Sequence, residues 1–391
     1  AKQYSDVITF AFWIRKQNVH KMRRRFLREP DCCRKGRGVI FHVAPSNVAV
    51  NYAYSLAAGL MMGNVNVVRI PSKDFEQVRI LGECMCHALD EFPFMRDRIC
   101  LLKYGHEKEV NDALSAICDV RVIWGGDETI AQLRQSKIPP RAYDVCFADR
   151  YSLAVIDLDD YAQAAEDEKA ELARGFYNDT YLTDQNACTS PRMVVWYKKG
   201  MFFAEEGKDK YKDNNSIRLL QNIFWGKLWE LVQEKYQMKT VQIVDKLTNL
   251  GMMAAEHGEC FPHLVCADSD YRLMRVQIDR LDETVMQYCG NSGYFMEYLT
   301  GSLRELACIC GEKCQTIGYF GRSQMLQELL DDNIKGVDRV VPIGKTMDFD
   351  LIWDGYNLFD MFTRKISYFS HTGYTRERKS YPDTLRSRAY T

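Results

Sequence analysis

From residue 38 onward, short unbroken apolar runs alternate with longer stretches in which apolar residues recur every three or four positions. Val39-Ile-Phe-His-Val43 has the character of a buried strand, and residues 44–47 read as a loop before a helix over 48–62. The pattern then repeats: strand 66–70, helix 75–92, strand 99–103, helix 107–115, strand 120–124 and helix 127–133. Strands apolar on both faces, separated by amphipathic helices, are the pattern of a parallel sheet covered on both sides. The expected fold class is therefore α/β, with a doubly wound, Rossmann-like first domain. A second α/β region is expected over about 157–344, with a helix over 161–178, strands at 193–197 and 315–320, and a long helix over 216–236. Ahead of all this, residues 10–26 read as one amphipathic helix with a basic face. The stretch beyond His371 is polar, basic and without periodicity.

Length and charge narrow the class. A chain of 391 residues exceeds what one small core holds together, so two domains are expected. The net charge of −1 gives no electrostatic reason to expect a nucleic-acid or membrane-surface partner. Residues 43–68 carry no charge, but Pro45, Asn47, Asn51, Asn64, Asn66, Gly59 and Gly63 interrupt them, which argues against a membrane span. The N-terminus has no contiguous apolar run of the secretory kind. Fourteen cysteines without framework spacing suggest reduced thiols and a cytoplasmic protein. His257, Cys260, His263 and Cys266, and separately Cys308, Cys310 and Cys314, lack the paired C-x-x-C knuckles of a structural zinc site and read as ordinary thiols and imidazoles.

One cysteine stands apart. Cys188 lies among small polar residues between a predicted helix and a predicted strand, where a thiol can reach a cleft. Four strand-to-helix junctions in the first domain also look purposeful, because in parallel sheets ligands gather at the carboxyl ends of strands. They are Ala44-Pro-Ser46-Asn47, Arg69-Ile-Pro-Ser72-Lys73, Tyr104-Gly105 and Trp124-Gly125-Gly126-Asp127. A G-x-G-x-x-G fingerprint is absent, yet four such junctions in consecutive units point to a dinucleotide cleft. Arg69, Ser72 and Lys73 suit a phosphorylated ribose, favouring NADP over NAD. Asn47 can donate to the oxyanion of a tetrahedral intermediate, or simply cap the helix that follows. Phe202, Phe203, Trp225 and Tyr294 are candidates for an apolar acyl pocket that the sequence cannot tell from core aromatics.

Taken together, Pro45-Ser-Asn47, the run from Asn66 to Ser72, Trp124-Gly-Gly-Asp-Glu128 and Asp184-Gln-Asn-Ala-Cys188-Thr-Ser-Pro-Arg192 resemble the aldehyde dehydrogenase superfamily. More narrowly, the chain is similar to the bacterial acyl-CoA reductase family typified by the fatty acid reductase of bioluminescence. Gly336-Val-Asp-Arg-Val-Val-Pro-Ile-Gly344, Trp353-Asp-Gly355 and Arg15-Lys16 share that likeness. The likeness begins inside the family's usual N-terminal region, so a preceding segment is expected. The resemblance implies that Cys188 is the nucleophile and Asn47 the oxyanion-hole amide. It also implies that Arg69 replaces a cofactor-contacting Lys and that Gly125 and Gly126 lie beside the pyrophosphate. With Ser46, Ser72 and Gly105 these complete the expected cofactor site for NADPH. Oxidising members carry a general-base Glu where this chain has Phe147, which favours thioester chemistry over acid formation, although Asp149 lies close by.

The implied reaction is reduction of a long-chain fatty acyl thioester, acyl-CoA or acyl-protein, to the aldehyde. The alternatives are an NAD(P)-dependent aldehyde dehydrogenase or a non-catalytic subunit of an acyl-transfer complex. Expected partners are a second copy of the chain and, by family analogy, acyltransferase and synthetase subunits. The expected domains are 1–157 for NADP binding, 158–345 for catalysis and 346–391 as a C-terminal segment able to act as an oligomerisation arm.

Overall fold

The computed structural model describes residues 4–26, 33–45, 48–201, 215–257, 264–266, 270–322, 325, 327, 328, 330 and 334–367. They form two compact units, one of residues 1–148 and 349–391, the other of 149–348.

The first unit begins with α1 (Ser5–Trp13) and α2 (Lys16–Phe26), so the single helix expected over 10–26 is broken at Ile14 and Arg15. Next come β1 (Cys33–Gly36), β2 (Val39–Val43), α3 (Asn51–Met61), β3 (Val65–Arg69), α4 (Glu76–Glu91), β4 (Ile99–Leu102), α5 (Lys108–Ile117), β5 (Val120–Trp124), α6 (Asp127–Leu133) and β6 (Tyr143–Phe147). Five of these strands make a parallel sheet in the order β4-β3-β2-β5-β6. Counted from β2 as first, that order is 3-2-1-4-5, five of the six strands of the dinucleotide-binding order 3-2-1-4-5-6, with its switch point between β2 and β5. The interior is apolar on both faces, with Ile40, Phe41, Val122 and Ile123 fully buried. Arg121 on central β5 is tolerated because its guanidinium meets Asp144 on β6 at 2.8 Å and also donates to Ser115 and Ser136. His42 is likewise buried neutral, bonded to Ser55 (2.7 Å) and Asn66 (3.0 Å); burial depresses its pKa to about 4.

The second unit contains β7 (Tyr151–Asp157), α7 (Leu158–Gln163), α8 (Glu166–Thr180), β8 (Pro191–Tyr197), α9 (Asn215–Lys235), α10 (Thr240–Glu256), β9 (Leu264–Cys266), β10 (Met274–Ile278), β11 (Tyr294–Thr300), β12 (Cys314–Phe320) and β13 (Arg339–Pro342). Its sheet runs β13-β12-β7-β8-β11-β10-β9, parallel throughout except for β9 against β10. One face packs an aromatic layer that includes Phe176, Trp196, Phe224, Trp225 and Phe295. The other packs a methionine-rich layer that includes Met193, Met253, Met274 and Met296. Asp157 caps α7 by accepting from the N–H groups of Asp159 (2.9 Å) and Asp160 (3.2 Å). The expected helix over 161–178 is thus two helices, parted near Ala164.

The chain then returns to the first unit through β14 (Ile352–Trp353), β15 (Tyr356–Asn357), α11 (Leu358–Phe362) and β16 (Thr363–Ile366), with β16 antiparallel to β1. Two expected boundaries therefore move. β7 pairs with β8 and β12, so the division falls before it and not at 157/158. The segment from 349 to 367 adds Leu351, Trp353, Leu358, Phe359 and Phe362 to the core of the first unit, where an arm was expected. Residues 368–391 lie outside the described residues.

Candidate active site

Cys188 belongs to the segment between α8 and β8. After α8 a short 3-10 turn, Tyr181–Thr183, leads into Asp184 and Gln185, both with left-handed backbone (φ 50° and 57°). A turn closed by Ser190 N–H on the Ala187 carbonyl (2.9 Å) then delivers the chain to β8. The Ser152 hydroxyl on β7 donates to the Cys188 carbonyl at 2.7 Å. Ser152 pairs with Pro191, so half-buried Cys188 sits at the amino edge of the seven-stranded sheet. Placement on a short junction, outside any core element, agrees with the sequence expectation. The opposite, carboxyl edge carries an open cleft of about 380 Å³ lined by Asp160, Gln163, Tyr319, Phe320, Arg322 and Pro342, and Cys188 is not part of it.

A second segment abuts the cysteine loop. The Thr189 hydroxyl donates to the Met347 sulfur (3.1 Å), and the N–H groups of Gly344 (2.6 Å) and Thr346 (3.2 Å) donate to Asp179 on α8. Burial holds the Asp179 carboxyl well above the usual carboxylate range, at about 7, despite these donors. Close approach explains two glycines: a Cβ on Gly175 would come within 3.0 Å of Gly344.

The expected cofactor residues lie at the carboxyl edge of the first unit's sheet. Arg69 ends β3; its guanidinium donates to the Gly105 carbonyl and lies 5.0 Å from the centre of the Tyr104 ring. Ser72 and Lys73 follow it, exposed. Gly125 and Gly126 follow β5, and a Cβ on exposed Gly126 would meet nothing within 4 Å, so the backbone there is open to a ligand. These residues fit a dinucleotide: an open glycine backbone at the switch point and a cation one strand away. Ser46 and Asn47 lie outside the described residues.

The remaining expectations divide. Phe147 is a core residue, stacked on Trp124 with ring centres 3.7 Å apart. Asp149 is exposed and its charge helps to raise the pKa of the Cys289 thiol, whose burial is the larger cause. Trp225 and Tyr294 are core aromatics, while Phe202 and Phe203 lie outside the described residues. Among the described residues no three His, Cys, Asp or Glu side chains group as metal ligands; Cys260 and His263 are not described. No described helix is long and apolar enough to cross a membrane.

Two α/β units, one with the nucleotide-binding strand order and one presenting a cysteine loop, define an aldehyde-dehydrogenase-like fold, and solved structures agree. The chain is similar to lactaldehyde dehydrogenase from Escherichia coli (TM-score 0.60, 12% identity, 94% of this chain and 79% of that one). It is also similar to gamma-glutamyl-gamma-aminobutyraldehyde dehydrogenase from Burkholderia cenocepacia (TM-score 0.63, 11% identity, 93% and 76%). NAD-dependent benzaldehyde dehydrogenase from Corynebacterium glutamicum is a third such structure (TM-score 0.57, 12% identity, 92% and 76%). At such identities the likeness is one of fold. No curated protein sequence matches. The family described as acyl-CoA reductase (LuxC) matches residues 19–257, more than half of the chain, and the protein belongs to that family. It is therefore an oxidoreductase of the acyl and aldehyde class.

Proposed function

We propose that the protein reduces a long-chain fatty acyl thioester, carried by coenzyme A or by a partner protein, to the fatty aldehyde with NADPH. The family match, which spans Cys188, carries this reading. In it, the Cys188 thiolate attacks the thioester carbonyl and the carrier leaves as its thiolate, so that the acyl group becomes a thioester of Cys188. Asn47 and the Cys188 N–H donate to the oxyanion of each tetrahedral species, an effect worth on the order of a hundredfold or more per donor. When bound, a reduced nicotinamide would supply hydride to the acyl carbon; collapse of the resulting thiohemiacetal anion on Cys188 would break its C–S bond, freeing the aldehyde and returning the Cys188 thiolate. Arg69, Ser72, Gly105, Gly125 and Gly126, with Ser46, are the residues that would hold the cofactor. The core position of Phe147 supports reduction over oxidation: where oxidising members place a base to activate water, this chain has an aromatic ring packed on Trp124. The same reading puts the enzyme in the cytoplasm as a homo-oligomer that works beside acyltransferase and synthetase subunits, in a luminescence-type fatty aldehyde supply.

Intact-protein mass spectrometry after incubation with tetradecanoyl-CoA, without cofactor, tests it. One added acyl group on the peptide containing residue 188, absent from Cys188→Ala, is the expected result. An unmodified wild-type protein, or the same adduct on Cys188→Ala, overturns it.

A further inference from the structure

Three residues before Cys188, one buried side chain ties the whole loop to the start of β11. Gln185 is 1% exposed, and its carboxamide uses all of its hydrogen-bonding capacity. Its Oε1 accepts from the N–H groups of Gly293 (3.0 Å) and Tyr294 (3.2 Å), and its Nε2 donates to the carbonyls of Pro191 (2.8 Å) and Tyr294 (3.0 Å). The Gln185 N–H itself donates to the Thr180 carbonyl at 2.7 Å, where α8 ends.

The contact is reinforced on both sides. Asn291 and Ser292 have left-handed backbone, each with φ 49°, as Asp184 and Gln185 do. The Ser292 N–H donates to the Asp184 carbonyl (2.9 Å), and the Asn291 amide donates to Asn186 Oδ1 (3.0 Å). Gly293 completes the turn at φ 89°, where a Cβ would lie 2.2 Å from the Arg272 carbonyl. Left-handed backbone is costly at each residue with a side chain, and persists only where the surroundings over-determine it. Filling space would need only an apolar side chain. Four satisfied polar contacts with four backbone groups instead fix where the chain runs.

We propose that Gln185 is a positioning residue for the nucleophile, a clamp that holds the backbone of residues 184–191 and with it the Cys188 thiol and N–H. The inference rests on the reading of Cys188 as the acylated residue. Because the clamp orients reacting atoms without itself meeting substrate, its loss acts on the acyl-transfer rate and leaves binding nearly intact. A displacement of about 1 Å at a reacting group can cost on the order of a hundredfold.

Gln185→Glu preserves volume and both acceptor contacts but sets a carboxylate oxygen against the Pro191 and Tyr294 carbonyls. Gln185→Met removes all four hydrogen bonds at similar size. Single-turnover acylation by tetradecanoyl-CoA, followed by mass on the full chain, should be about ten- to a hundredfold slower in either variant, with half-saturating acyl-CoA unchanged within about twofold. Asn291→Ala, which leaves Gln185 intact and frees Asn186 and the Cys289 thiol, should slow it less. A folded Gln185 variant that acylates within twofold of wild type overturns the inference, as does a change confined to half-saturation. If neither Gln185 variant folds, Asn291→Ala decides: a slowed rate supports the clamp and an unaltered one overturns it. Failure of the underlying reading looks different, because then wild type itself takes no acyl group on residue 188.

Discussion

Single side chains decide the chemistry, and Arg69 shows how much one can carry. Its guanidinium is steadied by the Gly105 carbonyl and the Tyr104 ring, so an anion that reaches it meets a cation already oriented. If the phosphorylated ribose binds there, Arg69→Ala should weaken NADPH about ten- to a hundredfold and NADH far less, the scale of one lost charge-assisted contact. Fluorescence titration of both cofactors checks it, and an equal loss for the two would remove Arg69 from phosphate recognition. The sequence singled out Arg69 and Cys188 as candidates because their local contexts are distinctive. It did not disclose Gln185, since three of its four side-chain hydrogen bonds go to Gly293 and Tyr294, more than a hundred residues downstream. Glu297 was hidden for the same reason. It is fully buried in β11, where a charge breaks the strand pattern, and Arg275, Trp196 and Trp225 help to make it acceptable.

Elements were legible where apolar character runs unbroken. β2, β5 and α6 fall where the pattern places them, because a strand buried on both faces reads as a near-continuous apolar run, which His42 and Arg121 interrupt without erasing, and a glycine pair opens the helix. The two divided helices were not, since residues around Ala164 and around Ile14 suit a helix, yet Ala164 and Ala165 take extended backbone (ψ 143° and 160°) and part α7 from α8. Between elements, Asp179 makes a link that pH should loosen. Its carboxyl titrates at about 7 in the folded protein and near 4 in an unfolded chain. Between those values the folded state holds a proton that the unfolded state has lost, so this contribution is full below pH ~4 and disappears as pH rises through about 7. The shift corresponds to on the order of 4 kcal/mol across that window. Asp179→Asn cannot ionise, so urea midpoints from pH 5 to 8 should show wild type losing stability relative to the variant as pH rises. Parallel curves would mean that the carboxyl is not proton-bound in the folded state.

For the whole molecule, the first unit is assembled from both ends of the chain. Phe362 on α11 is fully buried in its core, and its carbonyl accepts from the Arg37 N–H (3.2 Å) and the Asn64 amide (3.0 Å). Phe362→Ala should cost about 3–5 kcal/mol. Urea unfolding and hydrogen exchange along β1 and β2 would register it, and an unmoved midpoint would show that the returning segment is dispensable. That return was invisible in the sequence, because β1 and β16 are short, polar and more than three hundred residues apart. It sets an order of events on the ribosome. All of residues 149–348 are synthesised before β16 exists to meet β1. The inserted unit can complete itself while its host still waits for its last strand, leaving the early β1 edge open to wrong partners until translation reaches residue 366.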